Sequence, residues 1–151
     1  MSPTEDYLVG EPLLVERLKA SLPELRYVLT ADTLESAKDW TKATPVAHVI
    51  YMGDEVPQGA AAQGGGPAQL THQLWMVVLV VKHAGTVTTG EGARRKAGPL
   101  IAKMLKALTG WAPGQGLTAL RRAPGAKPGY RDGYGYYPFT FRTSHLVLGK
   151  T

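Results

Sequence analysis

The residues that could bind a metal or exchange protons near neutral pH are few and widely spaced. The four histidines are His48, His72, His83 and His145, and their spacing matches no metal-ligand motif. His48 and His72 fall within predicted strands, where we expect structural histidines with satisfied ring nitrogens rather than ligands. We therefore predict no metal site.

The sequence also lacks the residue patterns of a nucleophilic or phosphate-binding site. The chain has no cysteine, which excludes thiolate nucleophiles, disulfides and sulfur ligands. The serines are Ser2, Ser21, Ser36 and Ser144, and none has the surroundings of a nucleophile elbow. Residues 85–91 carry two glycines but lack the lysine of a phosphate loop. We predict no catalytic residues and no cofactor.

Length and composition fit one small domain. The chain has 151 residues, 44% of them hydrophobic, which predicts a single domain over residues 1–151. No apolar stretch approaches the roughly 20 residues that cross a bilayer. Residues 1–6 are polar and acidic, unlike a signal peptide. We expect a protein without a membrane partner that is assembled in a cytoplasm.

The charge balance is basic. Lysine and arginine number 17 against 12 acids, a formal net charge of +5, and the excess lies mainly after residue 90. Such an excess is typical of a nucleic-acid surface or of a basic face that meets an acidic protein. The sequence has no aromatic-rich RNA motif and no zinc-finger spacing, which favours a protein neighbour or a role in solubility.

The first third of the chain predicts a helix, a strand and a short helix. The first helix begins near residues 10–12 and ends at Pro23. Its apolar positions recur at helical spacing and are Leu14, Val15, Leu18 and Leu22. Residues 26–30 predict a short strand rich in β-formers. Asp32 is predicted to cap a second helix, with Glu35 completing the capping-box spacing.

A long hairpin follows. Residues 45–52 are apolar on both faces, which predicts a central strand. Residues 69–82 first alternate and then become continuously apolar, as in a strand buried more deeply at one end. The glycine- and alanine-rich segment between them cannot bury enough surface to offset its ordering entropy. We expect a mobile hairpin loop around residues 56–68.

The strongest helical signal covers residues 93–108. Its apolar face consists of Ala97, Leu100, Ile101, Met104, Leu105 and Leu108. The opposite face carries what we call the basic stripe, made of Arg95, Lys96, Lys103 and Lys106. Pro99 either opens this helix or lies inside it, and Gly110 is predicted to end it as a left-handed cap.

The last part of the chain predicts strands. Residues 117–121 form one candidate strand, and residues 123–129 form a basic loop rich in proline and glycine. Residues 133–143 alternate aromatic and polar side chains like a half-buried strand, with Pro138 at an edge or a bulge. The order α-β-α-β-β-α-β-β predicts an α+β fold, with a mixed or antiparallel sheet and helices packed on one face.

An ordered set of short motifs runs through most of the chain. The set comprises Leu13-Leu14-Val15-Glu16-Arg17-Leu18, Pro45-Val46-Ala47-His48-Val49-Ile50-Tyr51-Met52-Gly53, Gly64-Gly65-Gly66, Gln73-Leu74-Trp75, Ala97-Gly98-Pro99-Leu100, Gly110-Trp111-Ala112-Pro113, Gly129-Tyr130 and Gly133-Tyr134-Gly135-Tyr136. In this set and order the chain resembles the tail terminator proteins of Mu-like phages and prophages.

The resemblance implies a tail-terminator-like α+β fold and a structural role in the virion. It implies a homo-hexameric ring on the last ring of the tail tube, which stops tube growth and forms the surface that joins the head. The implied partners are further copies of the chain, the tail tube protein, head-tail connector proteins and, if the tail contracts, the tail sheath. It implies no catalytic residue and no specific nucleic acid.

Assembly contacts are expected in the hairpin tip, the basic stripe and a nearby arginine pair. These residues are Gln58, Gln63, Gly64, Gly65, Gly66, Arg95, Lys96, Lys103, Lys106, Arg121 and Arg122. Two other interpretations stay open. One is a head-tail connector or head-completion protein of similar size. The other is a small basic nucleic-acid-binding protein, which would be retained on DNA with a steep dependence on salt.

Overall fold

A six-stranded mixed sheet flanked by three helices organises the chain. The computed structural model describes residues 1–40, 42–58, 67–83 and 91–150. The elements in chain order are α1 (Gly10–Ser21), β1 (Tyr27–Thr30), α2 (Leu34–Lys38), β2 (Val46–Glu55), β3 (Ala68–Lys82), α3 (Glu91–Leu108), β4 (Arg121–Ala123), β5 (Gly129–Arg131) and β6 (Tyr134–Leu148). This is the predicted α+β class, with three strands after α3 rather than the predicted two.

The strand order is β1-β2-β3-β6-β4, and β5 also pairs with β6. Among the described strands, only β1 and β2 run parallel. β2 and β3 form the predicted hairpin, and β2 is the predicted central strand. It continues to Glu55, beyond its predicted end at residue 52, because the pairing resumes after a bulge at Gly53, where φ is 92°. The loop predicted around residues 56–68 lies largely outside the described residues.

Both long helices lie on one face of the sheet, as predicted. The alternation of β3 turns Trp75, Val77, Leu79 and Val81 toward this face. They pack against the apolar positions of α1 and α3, of which Leu14, Leu18, Ala97, Met104 and Leu108 are all fully buried. Of the described helices, none is long and apolar enough to cross a membrane.

The short helix α2 covers part of the opposite face. There Met76, Val78 and Val80 of β3 pack with Ala37. Asp32 is not the cap of this helix, contrary to the prediction. Thr33 has the extended backbone of an N-cap, and its hydroxyl accepts a hydrogen bond from the backbone N–H of Ser36 at 3.1 Å.

Pro99 lies inside α3, which settles the alternative that the sequence left open. The helix begins at Glu91, eight residues earlier, and its first turns pack Gly92 and Ala93 in buried positions. Gly110 has a φ of 78°, the left-handed conformation predicted for it after the helix end.

The strand predicted over residues 117–121 is wrong except at its last residue. Leu120 is buried, but its carbonyl accepts a hydrogen bond from Gly110 and its N–H donates to Trp111. These bonds to the turn after α3 use both backbone groups of Leu120, so this residue cannot join a sheet ladder, although the N–H of Thr118 donates to the carbonyl of Ser144 in β6. The strand β4 therefore starts only at Arg121.

Pro138 lies in β6 where the outer side of this strand has no described strand beside it. The backbone N–H and C=O of Ser144 point away from β3 and bond Thr118. Because these groups alternate in direction along a strand, those of position 138, six residues earlier, also point away from β3. β5 pairs with β6 up to Tyr136, and β4 pairs from Thr140. The proline consequently removes only an N–H that would lack a ladder partner. The prediction of an edge strand is wrong for β6 as a whole, because this strand lies between β3 and β4, and Pro138 occupies a gap in its pairing.

Candidate assembly surface

His72 and His145 contact other polar side chains where β3 and β6 extend past the helices. His72 Nδ1 lies 2.5 Å from Ser144 Oγ on the neighbouring strand, and Glu55 stands opposite His72 in the β2–β3 pairing. Serine and histidine in contact are two members of a nucleophilic triad. These three residues, however, lie on the sheet face that α2 covers only in part, outside the cluster with which α2 packs, and we interpret them as a cross-strand row of polar side chains.

Metal binding finds no support in the described ranges. Within them, no group of three or more histidine, aspartate or glutamate side chains is placed to hold an ion. The glycine- and threonine-rich connection at residues 85–91 lies almost entirely outside these ranges.

Gln73 is the centre of a buried polar network that the sequence reasoning missed. Its amide nitrogen lies 2.7 Å from the carbonyl oxygen of Tyr7 and 3.2 Å from Nε2 of His145. Its carbonyl oxygen accepts a hydrogen bond from the indole of Trp75 at 3.1 Å. Every polar atom of this fully buried amide has a partner. The signal available in sequence was a glutamine inside a strand that is otherwise becoming apolar.

The same network holds the N-terminal segment on the sheet. The Tyr7 hydroxyl donates to Asp54 Oδ2 at 2.5 Å, and burial together with this carboxylate raises the pKa of Tyr7. Burial lowers the pKa of His145, which favours the neutral ring that can accept the bond from Gln73. Residues 1–8 therefore cover one face of the projecting part of β3 and β6.

His48 is buried without hydrogen bonds, so the expectation of satisfied ring nitrogens is wrong at this position. It is 4% exposed, and neither ring nitrogen has a described partner. Its ring instead meets Trp40 edge to face, with centroids 5.7 Å apart. Burial lowers the pKa of His48, because water no longer stabilises the charged ring.

The basic stripe of α3 is exposed along its whole length, as its position on the helix predicted. Arg95 forms an ion pair with Glu91 at 2.7 Å, and Lys103 forms one with Glu24 of the segment after α1. The Lys96 ammonium donates to the carbonyl of Lys82 at 3.1 Å. These contacts are solvated, so the cations stay available to an outside partner at small energetic cost.

The predicted arginine pair is split between two environments. Both residues begin β4, but the guanidinium of Arg122 lies over the ring of Phe139, 4.8 Å from its centroid. Arg121 is exposed and stands opposite Arg142 in the pairing with β6. Among the described residues, no hydrogen bond or ion pair joins either arginine to the basic stripe.

Of the predicted tip residues, only Gln58 is described. It is exposed, and its side-chain amide donates to the carbonyl of Val56 at 3.2 Å. Gln63, Gly64, Gly65 and Gly66 lie outside the described residues.

Exposed apolar side chains concentrate where the sheet extends past its helices. We call this part the distal end and define it as residues 1–8, 52–58, 67–74 and 142–150. Seven of the nine large hydrophobic side chains that are exposed among the described residues lie there, namely Met1, Leu8, Met52, Val56, Leu146, Val147 and Leu148. Exposed apolar side chains concentrated at one part of a molecule are typical of a protein-binding site.

Comparisons with known proteins identify the family. No curated protein matches the chain at a significant level. One solved structure, of a protein without a functional name, is 19% identical with a TM-score of 0.49, and the match covers 100% of this chain and 99% of that one. That likeness is too weak to bear on function. Residues 4–150 match the family of phage tail terminator proteins. With nearly its whole length matched, the chain belongs to the phage tail terminator family.

Proposed function

We propose that this chain is the subunit of a homo-hexameric ring that caps the head-proximal end of a phage tail tube. The ring stops tube polymerisation and provides the surface that head-tail connector proteins bind. The observation that carries the proposal is the family match over residues 4–150, which gives the protein a structural role in the phage tail.

The surface layout supports a ring. A closed ring of identical subunits needs a heterologous interface, in which one surface of each subunit meets a different surface of the next. The described residues offer two unlike surfaces, the apolar distal end and the exposed basic stripe of α3. The chain acts as one domain, without a cofactor or a reaction, and assembles in the host cytoplasm before entering the virion.

The further partners in this proposal are the tail tube protein on one side of the ring and connector proteins on the other. A tail sheath would join them if the tail contracts. The residues we assign to contacts with neighbouring copies and with these partners are the predicted tip and stripe residues together with Arg121 and Arg122.

Electron microscopy of the purified protein tests the ring directly. We expect six-fold rings of the width of a tail tube. A matched experiment in a phage lacking the protein should give tails of abnormal length, or tails without heads. Infectious particles with normal tails in its absence would contradict the proposed function, whatever the purified protein does.

A further inference from the structure

One face of the distal end is acidic. This is the face that residues 1–8 cover, and we call it the acidic face. The carboxylates of Glu5, Asp6 and Asp54 are exposed there, and the bond from Tyr7 fixes Asp54 on this side of the sheet. Glu5 and Asp6 accept hydrogen bonds from backbone N–H groups of their own segment. Within the described residues, no lysine or arginine forms an ion pair with any of the three.

The other face of the distal end, which we call the open face, carries two arginines side by side. Arg142 stands opposite Leu74, whose position two residues before Met76 places it on the side away from α1 and α3. Arg121 stands opposite Arg142, and both are exposed. Glu55 lies on this face too, but in β2, two strands away from Arg142.

The arginine pair has no counter-ion in the part of the chain that the structure describes. Neither guanidinium forms an ion pair or a hydrogen bond there. Like charges directly opposite each other destabilise a sheet. An anionic partner outside the subunit would remove this repulsion, and the acidic face of another copy offers three carboxylates without a cation.

Exposed apolar side chains accompany the charges on both faces. On the open face, Leu146 and Leu148 continue the row of Arg142 along β6 and are 47% and 62% exposed. In the segment that covers the acidic face, Met1 and Leu8 are 76% and 39% exposed. Each face therefore combines apolar side chains with charge of mainly one sign, and the two signs are opposite. Such complementarity selects a partner and fixes its orientation.

We propose that the open face of one copy stacks on the acidic face of the next copy. Arg121 and Arg142 approach the carboxylates of the acidic face, and the leucines of the open face meet Met1 and Leu8. Because the two surfaces differ, the contact is heterologous and repeats from copy to copy. A ring subunit needs a neighbour on each side, and the two faces of one sheet point to opposite sides. The arrangement leaves the basic stripe of α3 to the tube and connector proteins. This inference rests on the proposed ring and names the surfaces that close it.

A charge exchange tests the ionic part of the contact. Arg142→Glu should raise the protein concentration needed for half-assembly by about fivefold at low salt, because it places a carboxylate against the acidic face. Glu5→Lys should do the same, and the two changes in one chain should restore assembly. Sedimentation velocity measures the assembly. Lys42→Glu makes the same change in net charge as Arg142→Glu, at an exposed position before β2 and away from the distal end, and should leave assembly unchanged.

The charge variants should stay folded, since both altered positions are exposed. Arg142→Glu also replaces a like-charge pair by an opposite-charge pair with Arg121, so the thermal unfolding of the dissociated chain should not shift downward. Weaker assembly with unchanged unfolding assigns the effect to the contact between copies.

Cross-linking tests the apolar part, because the chain has no cysteine of its own. Leu146→Cys and Leu8→Cys place single thiols on the open and the acidic face. With a short bis-maleimide, a mixture of the two single variants should give at least about tenfold more dimer than either variant alone, since a heterologous contact joins unlike positions. Tyr130→Cys is the matched control for Leu146→Cys, because Tyr130 is 41% exposed on β5, at the other end of β6.

The outcomes separate this inference from the proposed function. Six-fold rings that form no cross-link between Leu146→Cys and Leu8→Cys, and that tolerate Arg142→Glu, would overturn the stacking and leave the ring standing. Cross-linking of Leu146→Cys chains to one another as efficient as in the mixture would overturn it by showing an isologous contact. Capture of tube protein by Leu146→Cys, with none of Leu8→Cys, would overturn it by showing another occupant. A wild-type protein that forms no rings would contradict both proposals.

Discussion

Buried polar side chains show how single residues shape this protein. Gln73 and His48 are both buried in the sheet, on opposite faces. The amide of Gln73 has a partner for each polar atom, whereas the ring nitrogens of His48 have none among the described residues. A satisfied buried group stabilises and orients its neighbours, while an unsatisfied one costs about 1–3 kcal/mol. The two positions therefore predict opposite effects of substitution.

Replacing His48 should make the protein less sensitive to acid. Because burial lowers the pKa of His48 below its ordinary value of 6.5, the native state binds fewer protons than the unfolded state. The free energy of unfolding should thus fall as the pH drops below 6.5 toward the lowered native pKa. His48→Phe keeps a ring against Trp40, removes this slope and should stabilise the fold by about 1–2 kcal/mol at neutral pH.

Urea denaturation measures the free energy of unfolding of the wild type and of His48→Phe, at pH values from about 8 to about 5 in steps of about one unit. The difference in stability between the two proteins should grow as the pH falls. An unchanged difference across that range would show that His48 does not carry the acid sensitivity.

Replacing Gln73 should be strongly destabilising. Gln73→Leu has a similar volume but leaves the Trp75 indole, the Tyr7 carbonyl and His145 without their partner. We expect a loss of about 2–3 kcal/mol in the free energy of unfolding. Gln69→Leu is the matched control, because that partly buried amide bonds only the backbone of its neighbour Leu70. Equal losses for the two variants would argue against a network centred on Gln73.

At the scale of elements, two prolines have different consequences. Pro138 lies in a strand at a place where its missing N–H costs nothing, because no described strand pairs there. Pro99 lies inside α3, where the carbonyl of Arg95 loses its helical hydrogen bond. A proline kept at this cost on an exposed helix face agrees with a role in contact rather than in folding.

Pro99→Ala should therefore stabilise the isolated protein by about 1–3 kcal/mol, since alanine restores the helical bond. Gly98→Ala is the control for helix propensity alone, because an added Cβ there meets no atom within 4 Å, and it should gain about 1 kcal/mol. Both gains are measured by thermal or urea unfolding. A destabilised Pro99→Ala variant would show that contacts of the proline ring stabilise the fold by more than the lost hydrogen bond.

At the scale of the whole molecule, we expect the hairpin tip to contribute to assembly but not to folding. Deleting residues 58–66 should leave the protein folded, with the same cooperative unfolding, because the core lies in β2, β3 and the helices. The same deletion should impair engagement with the ring or the tube. The measurement is tail length in phage carrying the deletion. Normal-length tails completed by the shortened protein would show that the tip has no part in assembly.

The sequence determined the elements whose signals are local. The helix α3 and the strand β3 follow from side-chain periodicity, and the hairpin follows from two apolar runs joined by a glycine-rich segment. The tail terminator resemblance likewise rests on the order of short motifs. Such patterns are local because 3.6-residue and two-residue repeats decide which side chains share a face, whatever the element packs against.

Only the tertiary structure decided features that depend on residues far apart in the chain. Leu120 bonds to a turn instead of a strand, and Gln73 connects the N-terminal segment to β6. The apolar distal end also emerged only there, because residues 146–148 resemble an ordinary strand until the sheet is seen to run past its helices. Exposure and polar partners are properties of packing, and packing brings together groups that no local pattern relates.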